Sequence, residues 1–152
     1  METAANKRKI TLRIYRVDEA VLNESTAALA RLQPDLGVER SDVLRALVHL
    51  TPSPEIEALG ILRHRYERKG GALPADDICD RPLTLRLPKV DVAKLEAVVK
   101  SLKARQISSS EAELLRALAQ YRLDWSLFVP AFVGYLLEFP DGRELRWKLE
   151  RK

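Results

Sequence analysis

Two short segments of the chain alternate strictly between apolar and polar residues. In residues 9–14 the apolar positions are Ile10, Leu12 and Ile14, and in residues 82–87 they are Leu83, Leu85 and Leu87. A period of two places successive side chains on opposite faces. Each segment is therefore predicted to form a strand with one buried and one solvated face. Pro82 and Pro88 limit the second strand to about five residues.

After each strand the apolar period becomes that of a helix. Asp18 and Asp91 are predicted to be the N-caps of these first helices. The apolar stripes of the two helices consist of Leu22, Leu29, Leu32, Leu95, Val98, Val99 and Leu102. Ser25 and Thr26 weaken the first stripe, and residues 33–37, QPDLG, end that helix.

Each first helix is followed by a second one. One is predicted to start at Ser41, and its counterpart at Ser110, where residues 110–113, SEAE, form a capping box. A further helix is predicted over residues 53–68, with Pro54 in its first turn. Residues 69–80 are expected to be the flexible part of the connection to the second strand.

The C-terminal segment holds most of the aromatic residues. Asp124 is predicted to cap a helix that reaches about residue 138, and Pro130 either kinks this helix or ends a first short piece. Asp141 and Gly142 are predicted to form a turn before a short basic helix. We expect the segment to cover the core, with a docking surface for another protein as the alternative.

The two strand-containing segments are copies of one another. Residues 10–22 read ITLRIYRVDEAVL and residues 83–95 read LTLRLPKVDVAKL, an offset of 73. Residues 44–47, LRAL, recur as residues 115–118 at an offset of 71. This order indicates a duplication. Because one short strand and two short helices bury too little surface alone, the two strands are expected to pair antiparallel under four helices.

A basic alternating strand, a helix, a turn and a Ser-led second helix resemble the ribbon-helix-helix family of the Arc/MetJ type. The resemblance covers residues 9–50 and 82–121, in a single-chain tandem form similar to TraY-like accessory proteins of conjugative plasmids. It implies a mainly α fold with a two-stranded antiparallel β-ribbon, an intramolecular pseudo-dimer of two ribbon-helix-helix units plus extra helices. The expected division is a basic arm 1–8, units 9–51 and 82–123, a linker 52–81 with one helix, and an aromatic-rich helical extension 124–152.

The resemblance implies that the outward residues of the ribbon contact base edges in the major groove. Here these are Lys9, Thr11, Arg13, Thr84 and Arg86. A two-stranded ribbon fits a groove roughly 12 Å wide, where Arg pairs with guanine and Thr contacts a thymine methyl or a polar base atom. Pro82 stands where the first copy has Lys9, so the second strand should read fewer bases. The alternative is an ordinary solvated strand face.

Phosphate contacts are predicted beside the ribbon and at the second helices. Residues 7–16, KRKITLRIYR, hold five basic residues and no acid. The candidates are Lys7, Arg8, Arg40, Ser41, Arg81, Ser109 and Ser110. Helix N-termini bind anions, but the serines are equally suited to capping, and the choice between Ser109 and Ser110 stays open. Arg45 and Arg116 occupy equivalent places, for which a structural or solvated role is favoured over a phosphate contact.

Composition limits the remaining classes. The 152 residues carry a net charge of +4, which permits a nucleic acid partner without requiring one. Cys79 is the single cysteine, and no run is apolar enough for a membrane span, so a cytoplasmic protein without a disulfide is expected. His49, His64 and Cys79 lack metal-ligand spacing, and no catalytic motif is found, so no enzyme activity, cofactor or metal is expected.

The sequence thus predicts a protein that binds specific double-stranded DNA and regulates transcription, most simply as a repressor. A relaxosome accessory protein that binds a plasmid transfer origin in conjugation is the first alternative. The second is an antitoxin-like interaction protein. The region 124–152 is the candidate surface for self-association or for a partner protein. Because the copies differ, the DNA site is expected to be non-palindromic.

Overall fold

A computed structural model describes residues 7–66, 82–121 and 124–139. The described residues form six α-helices and two strands. The first half contains β1 (Lys7–Leu12), α1 (Arg16–Leu32), a 3-10 turn (Pro34–Leu36), α2 (Arg40–Leu50) and α3 (Ser53–Tyr66). The second half contains β2 (Leu83–Pro88), α4 (Lys89–Ala104), α5 (Glu111–Ala119) and α6 (Trp125–Glu138). The predicted mainly α fold with a two-stranded sheet is confirmed. The connection 69–80 and the turn and helix beyond residue 140 lie outside the described residues.

The two strands pair antiparallel, as predicted. Lys7 pairs with Pro88 at one end and Leu12 with Leu83 at the other, and Thr11 pairs with Thr84. Thr11 and Thr84 are equivalent residues of the sequence repeat, so the ribbon is paired about a repeated position. Its inner face is apolar and buried, with Leu12, Ile14, Leu85 and Leu87 each 3% exposed or less. Strand β1 lies earlier in the chain than the alternation predicted, but the alternation continues past its end, since Arg13 is exposed and Ile14 buried.

The prediction that Asp18 and Asp91 cap the first helices is wrong. Helices α1 and α4 begin at Arg16 and Lys89, which makes each aspartate the third helical residue. The N-cap residues are Tyr15 and Pro88, which continue directly from the ribbon. The carboxylate of Asp18 still serves the helix start, because its Oδ2 accepts the backbone N–H of Tyr15 at 3.3 Å.

The polar residues inside α1 are accommodated by the helix itself. The hydroxyl of Ser25 donates to the carbonyl of Val21 at 3.1 Å, and that of Thr26 to the carbonyl of Leu22 at 2.7 Å. Such bonds satisfy a hydroxyl in a helix without an outside partner. The helix ends as predicted, and Gly37 adopts a left-handed conformation with φ 61°, which glycine adopts without a steric penalty.

The second helices start in different ways. Helix α2 begins at Arg40, so Ser41 lies inside the helix and Glu39 precedes it. Ser110 caps helix α5 as predicted, since its hydroxyl accepts the backbone N–H of Glu113 at 3.1 Å. Ser110 is therefore the capping serine of the pair 109–110. The second half of the predicted capping box is not formed, because the Glu113 carboxylate bonds to Arg63 and Arg116 instead.

Helix α6 also starts as predicted. The carboxylate of Asp124 accepts the backbone N–H of Ser126 at 3.2 Å. Pro130 lies inside the helix, which runs unbroken from Trp125 to Glu138.

One apolar core joins both copies and the two additional helices. Helices α2 and α5 pack against each other beneath the ribbon. Helix α3, which follows the first copy, packs against α4 and α5, whereas α6, which follows the second copy, packs against α1 and α2. Ile56 of α3 and Phe132, Tyr135 and Leu136 of α6 are buried in the common core. Each additional helix therefore covers the other half of the molecule.

Candidate nucleic-acid interface

The outer face of the ribbon carries the five predicted base-contacting residues. Lys9 lies opposite Arg86, and Thr11 lies opposite Thr84, with their hydroxyl oxygens 3.4 Å apart. Arg13 follows just beyond the last residue of β1. All five side chains are exposed. Because alternate strand residues share a face, the register brings them together on the side away from the helices.

The cations on this face are not paired with carboxylates of the described residues. Within the described ranges, the side chains of Lys9, Arg13 and Arg86 take part in no ion pair or hydrogen bond, whereas Arg8, Arg40 and Arg63 each contact a carboxylate. Their charges are therefore not neutralised within this part of the protein. A cluster of uncompensated positive charge attracts polyanions and raises their rate of association.

The two ends of this face differ in charge. At one end Lys9 is paired with Arg86. The same register, continued by one residue beyond Leu12 and Leu83, sets Arg13 opposite Pro82 at the other end. Counting only the described side chains, one end thus presents two cations and the other presents one.

The predicted phosphate contacts are placed unequally. Arg8 Nη1 lies 3.3 Å from Glu111 Oε1 and 3.8 Å from Glu96 Oε1, and Arg40 Nη1 lies 2.8 Å from Glu19 Oε2. The charges of Arg8 and Arg40 are therefore partly neutralised by these glutamates. Lys7 belongs to β1, but its side chain lies outside the described part of the chain, as does all of Arg81. Ser41 is the second residue of α2.

The start of α5 borders a shallow groove beside the ribbon. The groove measures about 630 Å³ and borders Ile10 of β1 and the serines 109 and 110. Its charged lining consists of Lys100 and Lys103 of α4 together with the carboxylates of Glu96 and Glu111. The two lysines were not singled out in the sequence, although their spacing of three residues places them on one face of a helix. The structure therefore places two additional cations near the predicted serines.

Two further cations follow the strands directly. Arg16 and Lys89 are the first residues of α1 and α4, and both are exposed. A cation at a helix N-terminus is electrostatically unfavourable for the helix, yet both copies have one there. Arg16 and Lys89 are 73 residues apart, which is the offset of the sequence repeat, so the repeat alone could have identified them as a pair.

Beneath the ribbon, buried carboxylates join the two copies. Asp18 is fully buried, accepts a hydrogen bond from Gln120 and binds Arg63 Nη1 and Nη2 at 3.0 and 3.2 Å. The equivalent Asp91 has its two carboxylate oxygens 2.9 and 3.1 Å from His49 Nδ1. His49 and Gln120 are themselves equivalent at offset 71. Each copy thus supplies a carboxylate to the end of the other copy's second helix.

The electrostatics of the Asp91 pair are dominated by burial. Burial raises the pKa of the Asp91 carboxyl, against the opposing hydrogen bond from His49. Burial also lowers the pKa of Lys94, whose Nζ donates to the carbonyls of Val48 and His49 at 2.8 and 3.1 Å. The His49 ring contacts the rings of Tyr135 and Phe139, with centroids 5.2 and 4.9 Å away. This cluster joins α2, α4 and α6.

No family model, curated protein or solved structure matches this chain. Among the described residues, no helix is both long enough and apolar enough to cross a bilayer.

Proposed function

We propose that the protein binds specific double-stranded DNA by inserting its two-stranded ribbon into the major groove. The observation that carries this proposal is the outer face of the ribbon, where exposed Lys9, Arg13 and Arg86 flank Thr11 and Thr84. None of the three cations forms an ion pair with a described residue. A two-stranded β-ribbon has the width that the major groove admits. In an ordinary solvated ribbon, neither strand needs to carry cations on its outer face.

Each residue type has a distinct task in this proposal. Arg13 and Arg86 donate to the O6 and N7 acceptors of guanine, and Lys9 donates to one acceptor. Thr11 and Thr84, at the centre of the ribbon, contact a thymine methyl or a polar base edge. The cations Arg16, Lys89, Lys100 and Lys103 approach the flanking phosphates, which contribute affinity rather than sequence information.

The underlying architecture is proposed to be a single-chain pseudo-dimer of two ribbon-helix-helix units. Three observations support it: the repeat in sequence, the pairing of Thr11 with its equivalent Thr84, and the packing of α2 against α5. The reciprocal bonds of Asp18 and Asp91 add a fourth observation. Each aspartate bonds to the equivalent residue of the other copy, Gln120 in one case and His49 in the other. In this architecture α3 follows the first unit and packs on the second, and α6 follows the second unit and packs on the first.

The test is a charge-matched comparison. Arg13→Ala with Arg86→Ala is expected to remove about 1–3 kcal/mol of sequence discrimination per residue. Arg31→Ala with Arg65→Ala removes the same charge from exposed helix positions and should leave discrimination intact. Affinity is measured on duplexes selected from random DNA by the wild-type protein, across a range of salt concentrations. Equal losses in both double variants would mean nonspecific attraction and contradict the proposal.

The biological role follows from where the protein binds. Footprinting across the genome is expected to give peaks at promoters if the protein regulates transcription, which we propose as its role. Peaks at a transfer origin instead would assign it to the relaxosome. The absence of discrete peaks would contradict both.

A second candidate function, self-association, is favoured by α6. Its inner face is buried, but its outer face is apolar, with Leu127 78% and Leu137 40% exposed. Other exposed apolar side chains lie singly on α3 and α4 or at opposite ends of α1 (Val17, Leu32, Leu62 and Val90). Leu127 is more exposed than any of these residues, and contiguous exposed apolar surface is typical of interaction sites. Leu127→Glu should weaken the self-association of the full chain, measured by sedimentation of the protein alone and of the protein on DNA with two sites. An unchanged concentration dependence would exclude this role for α6.

A further inference from the structure

Side chains from α3 and α5 hold the backbone at the point where β1 becomes α1. Arg116 Nε, on α5, donates to the carbonyl oxygen of Arg13 at 2.8 Å. The guanidinium of Arg116 lies 5.5 Å from the centroid of the Tyr15 ring, and that of Arg63 lies 5.8 Å from it. The residue that ends the outer face of the ribbon, Arg13, is thereby attached to the helical layer through its backbone, while its side chain stays exposed.

Arg116 is itself held in place. Its Nη1 bonds to Glu113, and Glu113 Oε2 accepts from Arg63 Nε at 3.2 Å. Arg63 in turn binds the fully buried Asp18 through two nitrogens. The side chains of Arg116 and Arg63 are only 18% and 9% exposed. Ion pairs withdrawn from water and linked into a network restrict the side chains that form them more than isolated surface pairs do.

The opposite end of the ribbon lacks this attachment. Arg45 is the equivalent of Arg116 in the repeat, but it bonds to Asp42 at 2.7 Å and to the carbonyl of Phe139 at 3.3 Å. Pro88 stands where the first copy has Tyr15, so the start of α4 offers no equivalent ring. The guanidinium of Arg45 instead lies 5.6 Å from the centroid of the Tyr135 ring of α6. In the described structure, Arg45 makes no bond to Arg86 or its neighbours. The attachment is therefore specific to the end that carries Arg13.

We propose that Arg116 is a positioning residue for base recognition by Arg13, an inference that rests on the proposed DNA binding. By fixing the carbonyl of Arg13, it fixes the direction in which that side chain leaves the ribbon. A bidentate contact with guanine tolerates only small displacements. Holding the backbone before DNA arrives also removes part of the ordering cost of binding. Because the Arg13 end has one cation instead of two, its recognition depends more on placement.

The experiment uses Arg116→Met, which keeps much of the side-chain volume and removes the donor. The probes are the duplex selected by the wild-type protein and its single-base variants. We expect discrimination to fall roughly three- to tenfold at the base read by Arg13, and to be unchanged at the base read by Arg86. The slope of affinity against salt should also be unchanged. In combination with Arg13→Ala, Arg116→Met should cause little further loss.

Other outcomes would overturn the inference. A uniform loss on all duplexes with a shallower salt slope would make Arg116 a phosphate contact. Additive losses with Arg13→Ala, or equal losses at both ends, would make it a structural residue only. If Arg116→Met does not fold, Glu113→Gln, which weakens the bond that holds Arg116, should produce a smaller loss confined to the same base, and no such loss would refute the inference. Failure of the proposed function is distinguishable, because Arg13→Ala would then have no base-specific effect in the wild-type background.

Discussion

At the scale of single residues, two equivalent aspartates are used differently. Asp18 is neutralised by Arg63 and also meets Gln120, whereas Asp91 meets His49 and lies near Lys94. The sequence shows that the aspartates are repeated and so matter to both halves. It could not show the partners His49, Arg63 and Gln120, because these lie 42 to 102 residues away along the chain. Helix-capping preference therefore gave the wrong role, while the contacts between the copies explain the repetition.

Removing the Asp18 carboxylate should strongly destabilise the fold. Asp18→Ala leaves the guanidinium of Arg63, 9% exposed, without its main partner, which we expect to lower the free energy of unfolding by about 3–5 kcal/mol. The matched control is Glu19→Ala, because Glu19 pairs with Arg40 near the surface, where such pairs contribute only about 0–1 kcal/mol. Urea unfolding of both variants measures the difference. Equal effects would contradict the assignment of Asp18 as a buried link.

Asp91 should make stability depend on pH with a defined sign. Burial raises its pKa in the folded protein above the unfolded value of 3.8. Between those two pKa values the folded state holds the proton more tightly, so this residue adds stability as the pH falls. The free energy of unfolding of the wild type, relative to Asp91→Asn, should therefore rise as the pH falls towards 3.8 and then level off. A relative decrease on acidification would instead mean that the ionised pair with His49 outweighs burial.

At the scale of elements, the sequence predicted the types of the helices and strands better than the role of one of them. Period-two alternation placed both strands, and the stripes and Ser110 placed the helices. The expectation that the C-terminal segment covers the core is confirmed for α6, but α3 was treated as a linker helix although it also belongs to the core. Helices α3 and α6 share no recognisable repeat in sequence, because packing requires matching volume rather than identical residues. That each of these helices packs on the other half of the chain could only be seen in the structure.

The glycines of these two helices provide a test of that packing. A Cβ at Gly60 would lie 2.9 Å from Leu102 Cδ1 and 3.0 Å from Leu114 Cδ2, whereas a Cβ at Gly134 would meet no atom within 4 Å. Gly134→Ala should stabilise the fold by roughly 0.5–1 kcal/mol through helix propensity alone. Gly60→Ala should not show this gain, and Gly60→Leu should cost about 1–3 kcal/mol through overpacking. Thermal melting would test the contrast, and a gain at Gly60 equal to that at Gly134 would argue against close packing of α3 on α4 and α5.

At the scale of the whole molecule, one chain combines a repeated sequence with a ribbon whose two ends are unequal. The ribbon is paired about Thr11 and Thr84, and Lys9 lies opposite Arg86 at one end. At the other end the register, continued by one residue, sets Arg13 opposite Pro82. The sequence predicted the inequality of the copies. The sequence alone could not show which residues lie at which end of the ribbon, because that depends on the register in which β1 pairs with β2. Fusing the copies in one chain permits such a difference, which a homodimer with a two-fold axis excludes.

The register turns the expected non-palindromic DNA site into a prediction about one residue. Pro82→Lys restores the equivalent of Lys9 and should give both ends of the ribbon one lysine and one arginine. Pro82 is exposed and precedes the first residue of β2, so the substitution should leave strand pairing intact. Selection from random DNA should then return a site with more two-fold symmetry than the site of the wild type, because half-sites mirror the symmetry of the protein that reads them. Pro82→Ala, which removes the proline without adding a cation, is the control and should keep the asymmetric site. A symmetric site for the wild type, or an unchanged one for Pro82→Lys, would show that the charge difference between the two ends does not determine what the ribbon reads.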